Sequence, residues 1–345
     1  MRCILVLSKS ICCNNSAIRQ FGNHSAMQRS TEKMKVGLGQ IAPVWFDRER
    51  TIEKVITYVK KAASQNCKLV VFGEALVPGY PFWIGATDGA KFNCDKQKTI
   101  QAEYSKQAVQ IERGDLSKLC QVAKNNNISV YLGIIERPKD RTGHSLYCSM
   151  VYIDQSGEIQ SVHRKLIPTY EERLSWSTGD GHGLVTHSLG DFTVGGLNCW
   201  ENWMPLARAS LYAQGEDLHV AIWPGNLENT FDLTPVMAKE GRSYVISACG
   251  LMRPTDALTS LGELSEVAES KEEHLANGGS CIANPDGSWL IEPQVGEEGL
   301  YTAELDHGFV RRERQNFDPA GHYSRPDVLQ LQVNRIRQST AVFKD

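Results

Sequence analysis

The chain has 345 residues, of which 41% are hydrophobic and 22% charged, with a formal net charge of −3. That is enough polypeptide for one large globular domain, and the charge balance offers no basic surplus for nucleic acid. No apolar run approaches the ~18 residues that a membrane-spanning helix needs, so neither nucleic acid nor a membrane is expected as a partner.

Residues 1–33 stand apart. They carry Arg2, Lys9, Arg19 and Arg29, with no acidic residue before Glu32. The composition is that of an organelle transit peptide; the other reading is an upstream extension, with Met34 as the true start. The 10 cysteines include no pair at the two-residue gap of zinc sites or redox dithiols. This usage fits a reducing, cytoplasmic location, and with no H-E-x-x-H pattern no metal and no other cofactor is expected.

From Met34 onward, strand and helix patterns alternate. Residues 36–41 form a short apolar run, and Ile52, Val55, Ile56 and Val59 follow at helical spacing behind the candidate cap Asp47. Residues 68–72 read as a strand buried on both faces that ends at Gly73 and Glu74. Helices are expected over 97–111 and 115–124, then strands over 128–135 and 146–153, and a third strand towards His163. A strand over 192–198 precedes Cys199. Beyond it come a strand at 218–223, a helix around 233–243 and a strand at 244–252. A hairpin is expected around Asn284-Pro285-Asp286-Gly287. The pattern is that of an α/β chain in one domain. Residues 254–279 read as a long surface excursion, and residues 311–345 as an irregular tail, either loosely ordered or an arm for a partner subunit.

Cys199 sits where an apolar strand ends, behind Gly195 and Gly196 and ahead of a helix through Pro205. A sharp strand-to-helix turn exposes a nucleophile, and a helix start favours a thiolate. A cysteine nucleophile needs a base and a positive group. Glu74 and Lys165 also stand at strand ends, where α/β proteins bind ligands.

Three blocks then resemble the signature of the nitrilase superfamily: residues 72–81 around Glu74, residues 163–169 around Lys165, and residues 198–202 around Cys199. The likeness runs from Val36 to at least Asp327. Cys-Trp-Glu-Asn followed by Met-Pro-Leu-Ala-Arg is similar to the nitrile-hydrolysing branch, and a second glutamate of that branch aligns with Glu172. Gly73 departs from the pattern, since proline is expected before the glutamate.

The resemblance implies a four-layer α-β-β-α sandwich for a domain over 34–310, and homo-dimers or larger spiral homo-oligomers. It implies hydrolysis of a small organic nitrile to the acid and ammonia. Cys199 would be the nucleophile and Glu74 the general base, while Lys165 and the Trp200 backbone N–H would hold developing negative charge. Glu172 would orient Lys165 or water, with Glu171 as the alternative inward residue. Tyr80 and Trp176 are candidates to line the substrate pocket. The competing activity is an amidase or N-carbamoyl-amide hydrolase using the same Glu-Lys-Cys set.

Overall fold

Both faces of the strand Leu69–Phe72 are buried, and the layers around it follow from that. Leu69 and Val71 enter one apolar cluster while Val70 and Phe72 enter another, as the two-residue strand period requires. The computed structural model describes residues 32–257, 273–341 and 344. The N-terminal extension expected over 1–33 therefore lies almost wholly outside the described residues, as does the middle of the expected 254–279 excursion.

The strands in chain order are β1 (Lys33–Gln40), β2 (Leu69–Phe72), β3 (Ser129–Glu136), β4 (Tyr147–Ile153), β5 (Ile159–Arg164), β6 (His187–Leu189) and β7 (Phe192–Asn198). After these come β8 (Leu218–Trp223), β9 (Tyr244–Cys249), β10 (Leu251–Met252), β11 (Ala276–Ala283), β12 (Trp289–Val295) and β13 (Gly299–Asp306). One sheet has the order β13-β1-β2-β3-β4-β5; the other runs β10-β11-β9-β8-β7-β6, with β12 paired to β11.

The sheets pack face to face. Val36, Leu38, Val71 and Tyr131 of the first share a core with Val194, Val220, Ile222 and Ile246 of the second. Helices Arg48–Ser64 and Ser117–Asn126 cover the outer face of the first sheet, where Val55, Val59 and Leu119 meet Val70, Phe72 and Val130. Helix Leu233–Gly241 covers the second, with Leu233 and Met237 against Ala221, Trp223 and Val245. Ala207 and Leu211 of helix Pro205–Tyr212 pack on Leu197. These are the four layers α-β-β-α that the resemblance implied.

Asp47 caps the first helix by accepting from the Arg50 backbone N–H at 2.9 Å. The helix expected over 97–111 is Asp95–Gln107, and that expected over 115–124 is Ser117–Asn126. The expected 244–252 strand is interrupted at Gly250, and residues from Ala276 are already strand, so the excursion ends earlier than its composition suggested. Helix His307–Arg314 spans the boundary at 310/311 expected for the tail. Beyond it, Tyr323, Val328, Leu329 and Ile336 are exposed. Among the described residues no helix is long and apolar enough to cross a membrane.

Candidate active site

Three strand ends converge. In the first sheet β2, β3 and β5 run in the same direction, because β2 and β3 are parallel and β4 reverses the chain twice. Their carboxyl ends therefore lie along one edge, with Glu74 just beyond β2 and Lys165 just beyond β5. Cys199 follows β7 in the second sheet. The sheets are tied at this edge by the Glu74 backbone N–H, which donates to the Trp223 carbonyl at 3.0 Å.

Gly73 is part of that junction. A Cβ there would lie 2.5 Å from the Gly250 nitrogen and 2.9 Å from the Trp223 oxygen. On the other side, a Cβ at Gly133 would lie 2.6 Å from the Glu74 Cα. Glu74 is wedged between close-packed backbones, so the departure at residue 73 gives close approach rather than looseness.

The Lys165 ammonium lies 2.8 Å from Glu74 Oε1 and 2.7 Å from Glu172 Oε2. Glu74, Glu172 and Cys199 each offer an atom within 4.8 Å of the others'. That spacing resembles a metal site, but Lys165 already supplies the cation between the two carboxylates. All four side chains are buried, Cys199 most open at 3% exposure. Glu172, not Glu171, is the inward member of its pair. The basic run His163-Arg164-Lys165 is also buried. Each member faces a carboxylate: Glu201 for His163, Glu136 for Arg164, Glu74 and Glu172 for Lys165.

Burial raises Glu74 to about 7; Lys165 pulls it down and Glu172 pushes it up. Burial would lower Lys165, but the negative charge available at Cys199, Glu74 and Glu172 outweighs it and holds the ammonium well above its ordinary range. Burial, reinforced by Glu74, pushes the Cys199 thiol well up against the opposing pull of Lys165 and the Trp200 backbone N–H. The expectation of a thiolate favoured by a helix start is thus corrected. The turn Cys199–Trp203 is only a short 3-10 segment, and desolvation dominates.

The turn itself also differs from expectation. Gly195 and Gly196 lie inside β7, and the sharp bend is made by Cys199, whose φ is +47°. Ala75, directly after Glu74, has φ +51°, and Tyr170, two before Glu172, has φ +42°. Non-glycine residues in this region cost about 1–3 kcal/mol each and persist where surrounding bonds fix them.

Tyr80 donates its hydroxyl to Glu172 Oε1 at 2.8 Å, and the Thr169 N–H donates to Glu172 Oε2 at 2.6 Å. Trp176 is buried with its ring 5.7 Å from the Lys165 ammonium, and it meets Tyr80 edge-on. The Trp200 backbone N–H bonds the Cys199 sulfur, while its indole is half exposed and bonds Asn229 at 3.2 Å. Trp200 and Met204 line a groove of about 380 Å³ together with Ile167, Pro168 and Tyr170.

Two participants were not read from the sequence. The Cys148 thiol donates to Glu74 Oε1 at 3.3 Å, leaving Oε2 without a hydrogen-bond partner among the described residues. The only signal was a cysteine inside a strand, which reads as core. Glu201 accepts from the Leu166 N–H at 2.5 Å and the Asn198 N–H at 2.8 Å, bracing the Lys165 and Cys199 strand ends together. Its place in the Cys-Trp-Glu-Asn block was visible, but its role was not.

With two packed sheets and one buried Glu-Lys-Cys cluster in place, comparison with known proteins defines the class. The profile of the carbon-nitrogen hydrolase family matches residues 35–315, and the chain belongs to that family. Its nitrilase branch is indicated by similar curated proteins. Nitrilase 2 of an unknown prokaryotic organism is 36% identical over 91% of this chain and 96% of its own length. An aliphatic nitrilase of Rhodococcus rhodochrous is 34% identical over 88% and 80%. Nitrilase 2 of Arabidopsis thaliana is 33% identical over 91% and 92%. Among solved structures, the C. elegans NitFhit protein matches with a TM-score of 0.67 at 17% identity, covering 90% of this chain and 69% of its own. An amidase from Nesterenkonia sp. gives 0.60 at 17%, covering 85% and 97%. These last two likenesses speak for the fold. The chain is a nitrilase-type hydrolase of carbon–nitrogen bonds.

Proposed function

We propose that the protein hydrolyses a small organic nitrile to the carboxylic acid and ammonia, consuming two waters, with Cys199 as the nucleophile. The observation that carries this reading is the single ammonium of Lys165 shared by two carboxylates, with the buried Cys199 thiol beside them at the turn after β7. The names of the similar nitrilases point to the same substrate class.

In this reading Glu74 accepts the Cys199 proton as sulfur adds to the nitrile carbon, then delivers it to nitrogen, giving a thioimidate. Oε1 of Glu74 is already engaged by Lys165 and Cys148, so the unpartnered Oε2 is the atom suited to carry the proton. Water adds with Glu74 as base, and the tetrahedral adduct is held by Lys165 and the Trp200 N–H. Ammonia leaves, a thioester remains, and a second water releases the acid and restores the thiol. Glu172, fixed by Tyr80 and the Thr169 N–H, keeps the Lys165 ammonium aimed into the site.

Tyr80 and Trp176 border the site on the Glu172 side, and the groove beside Trp200 offers an approach. Exposed Ile167, Tyr170 and Trp200 near the site, with Val328 and Leu329 on the tail over 311–345, fit a homo-oligomer.

A panel of aliphatic, aromatic and arylaceto-nitriles, each paired with its amide and assayed for acid, amide and ammonia, tests the function. Acid and ammonia from at least one nitrile, absent in Cys199→Ala, are expected. Turnover of the amides alone would contradict the reading.

A further inference from the structure

We propose that Asn202, His219 and Glu216 form a buried relay that holds Cys199 in its left-handed conformation and so directs its thiol. The proposal rests on the reading of Cys199 as the nucleophile. Asn202 meets Cys199 at its backbone carbonyl and not at its thiol, so the three act through that backbone and are positioning residues.

Asn202 is fully buried in the turn that Cys199 opens. Its Nδ2 donates to the Cys199 carbonyl at 2.8 Å and to the Leu197 carbonyl at 3.3 Å. Two carbonyl acceptors fix which end of the amide is nitrogen, because an oxygen there would face two other oxygens. Oδ1 of Asn202 must then accept, and the group it meets is His219 Nε2 at 2.8 Å. His219 therefore carries a proton on Nε2. Its Nδ1 lies 2.9 Å from Glu216 Oε1, so the second ring nitrogen shares a proton with a carboxylate and the ring cannot turn over freely.

The sequence makes room for this chain of bonds. His219 stands opposite Gly195 in the parallel pairing of β7 and β8. A Cβ at Gly195 would lie 2.3 Å from Glu216 Oε1. The glycine is there because the carboxylate packs on the strand that leads to Cys199. The relay thus links the base of that strand to the carbonyl of its last turn, and it grips the residue whose φ is +47°. Released from Asn202, the Cys199 peptide can relax towards an ordinary conformation, which would swing the thiol away from Glu74 and Lys165.

Asn202→Asp, His219→Leu and His219→Gln in the full chain test this, measured by kcat, KM, Tm and the rate at which iodoacetamide alkylates Cys199 per folded molecule. Asn202→Asp turns the donor into an acceptor, and His219→Leu removes the donor to Asn202. Both are expected to lower kcat about 10²-fold with KM changed by less than about threefold, since small misplacements of a reacting group have effects of that size. Alkylation should slow in parallel, and His219→Gln, which keeps an N–H donor, should recover most of both. Gly195→Ala pushes the Glu216 carboxylate aside without changing the identity of any relay residue. It serves if the others fail to fold, and should lower both rates.

Wild-type kcat and alkylation in these variants, or losses that only track the folded fraction, overturn the relay. Alkylation needs no nitrile. Relay-dependent alkylation in a chain that hydrolyses no nitrile would therefore refute the functional reading and keep the relay. Nitrile turnover indifferent to every variant would do the reverse.

Discussion

Glu201 Oε2 lies 3.0 Å from His163 Nε2, so the residue two after Cys199 is tied to the strand that delivers Lys165. The same carboxylate takes the backbone N–H groups of Leu166 and Asn198, one beside Lys165 in the first sheet and one beside Cys199 in the second. Burial would raise its pKa, but His163 and these bonds outweigh burial and hold it below the usual carboxylate range. A depressed folded value means stability that is fully present above the unfolded value and lost as pH falls through the folded one. Glu201→Gln is expected to cost about 1–3 kcal/mol at neutral pH and to lower kcat, with the stability penalty shrinking in acid. Urea unfolding of both proteins at neutral and acidic pH measures this. An unchanged midpoint at neutral pH would show that the brace bears no load.

Glu74 makes the opposite prediction. Its folded value of about 7, raised by burial, means that the carboxyl proposed as the base is protonated below neutrality. kcat/KM should therefore fall as pH drops through about 7. Because the folded value exceeds the unfolded one, the protein with Glu74 is penalised as pH rises from about 4.5 to 7, and the penalty is constant above that. Glu74→Gln removes it, leaving Lys165 paired with Glu172 alone. The inactive variant should be more stable than the wild type at pH 8, by up to about 3 kcal/mol, with no advantage in acid. Thermal unfolding across pH distinguishes this from a simple loss of the Lys165 contact, which would destabilise at every pH.

Lys165→Met should be inactive and unstable for a separate reason. It leaves the buried carboxylates of Glu74 and Glu172 without their shared cation, which costs about 3–5 kcal/mol. Acid should restore much of that loss by protonating one of them. The comparison is unfolding of the variant at pH 8 and pH 5.

Gly73→Ala tests the junction between the sheets. The nearest atoms to the new Cβ are the backbone of the second sheet at Gly250 and Cys249, which cannot swing aside as a side chain can. A loss of about 1–3 kcal/mol with reduced turnover is expected. Differential scanning calorimetry beside a kcat measurement reads both. Wild-type stability would mean the strand ends separate freely.

Glu74, Lys165 and Cys199 were picked out by their combination and by the three blocks that resemble the family signature, since a single charge or thiol at a strand end reads equally as a cap, a solvated charge or a core residue. Glu172 came from the resemblance, as the residue aligned with a second glutamate of the nitrilase branch. Cys148 and His219 were not legible, since a polar or small residue inside an apolar run gives no sign of what lies across the sheet. The pairing of Lys33–Gln40 with Gly299–Asp306 was missed for a similar reason. The second of these strands is only half-buried, and its partner lies at the far end of the chain. The bend at Cys199 was expected from the wrong residues: glycine permits a turn, but at Gly195 it permits Glu216 instead.

Intact-protein mass spectrometry of enzyme quenched during turnover of a nitrile tests the central claim most directly. If Cys199 attacks the nitrile carbon, the protein gains the mass of a bound thioimidate or acyl group. Peptide mapping should place that mass on Cys199, and Cys199→Ala should show none. Full turnover with no adduct at Cys199, or an adduct that persists in Cys199→Ala, would contradict it.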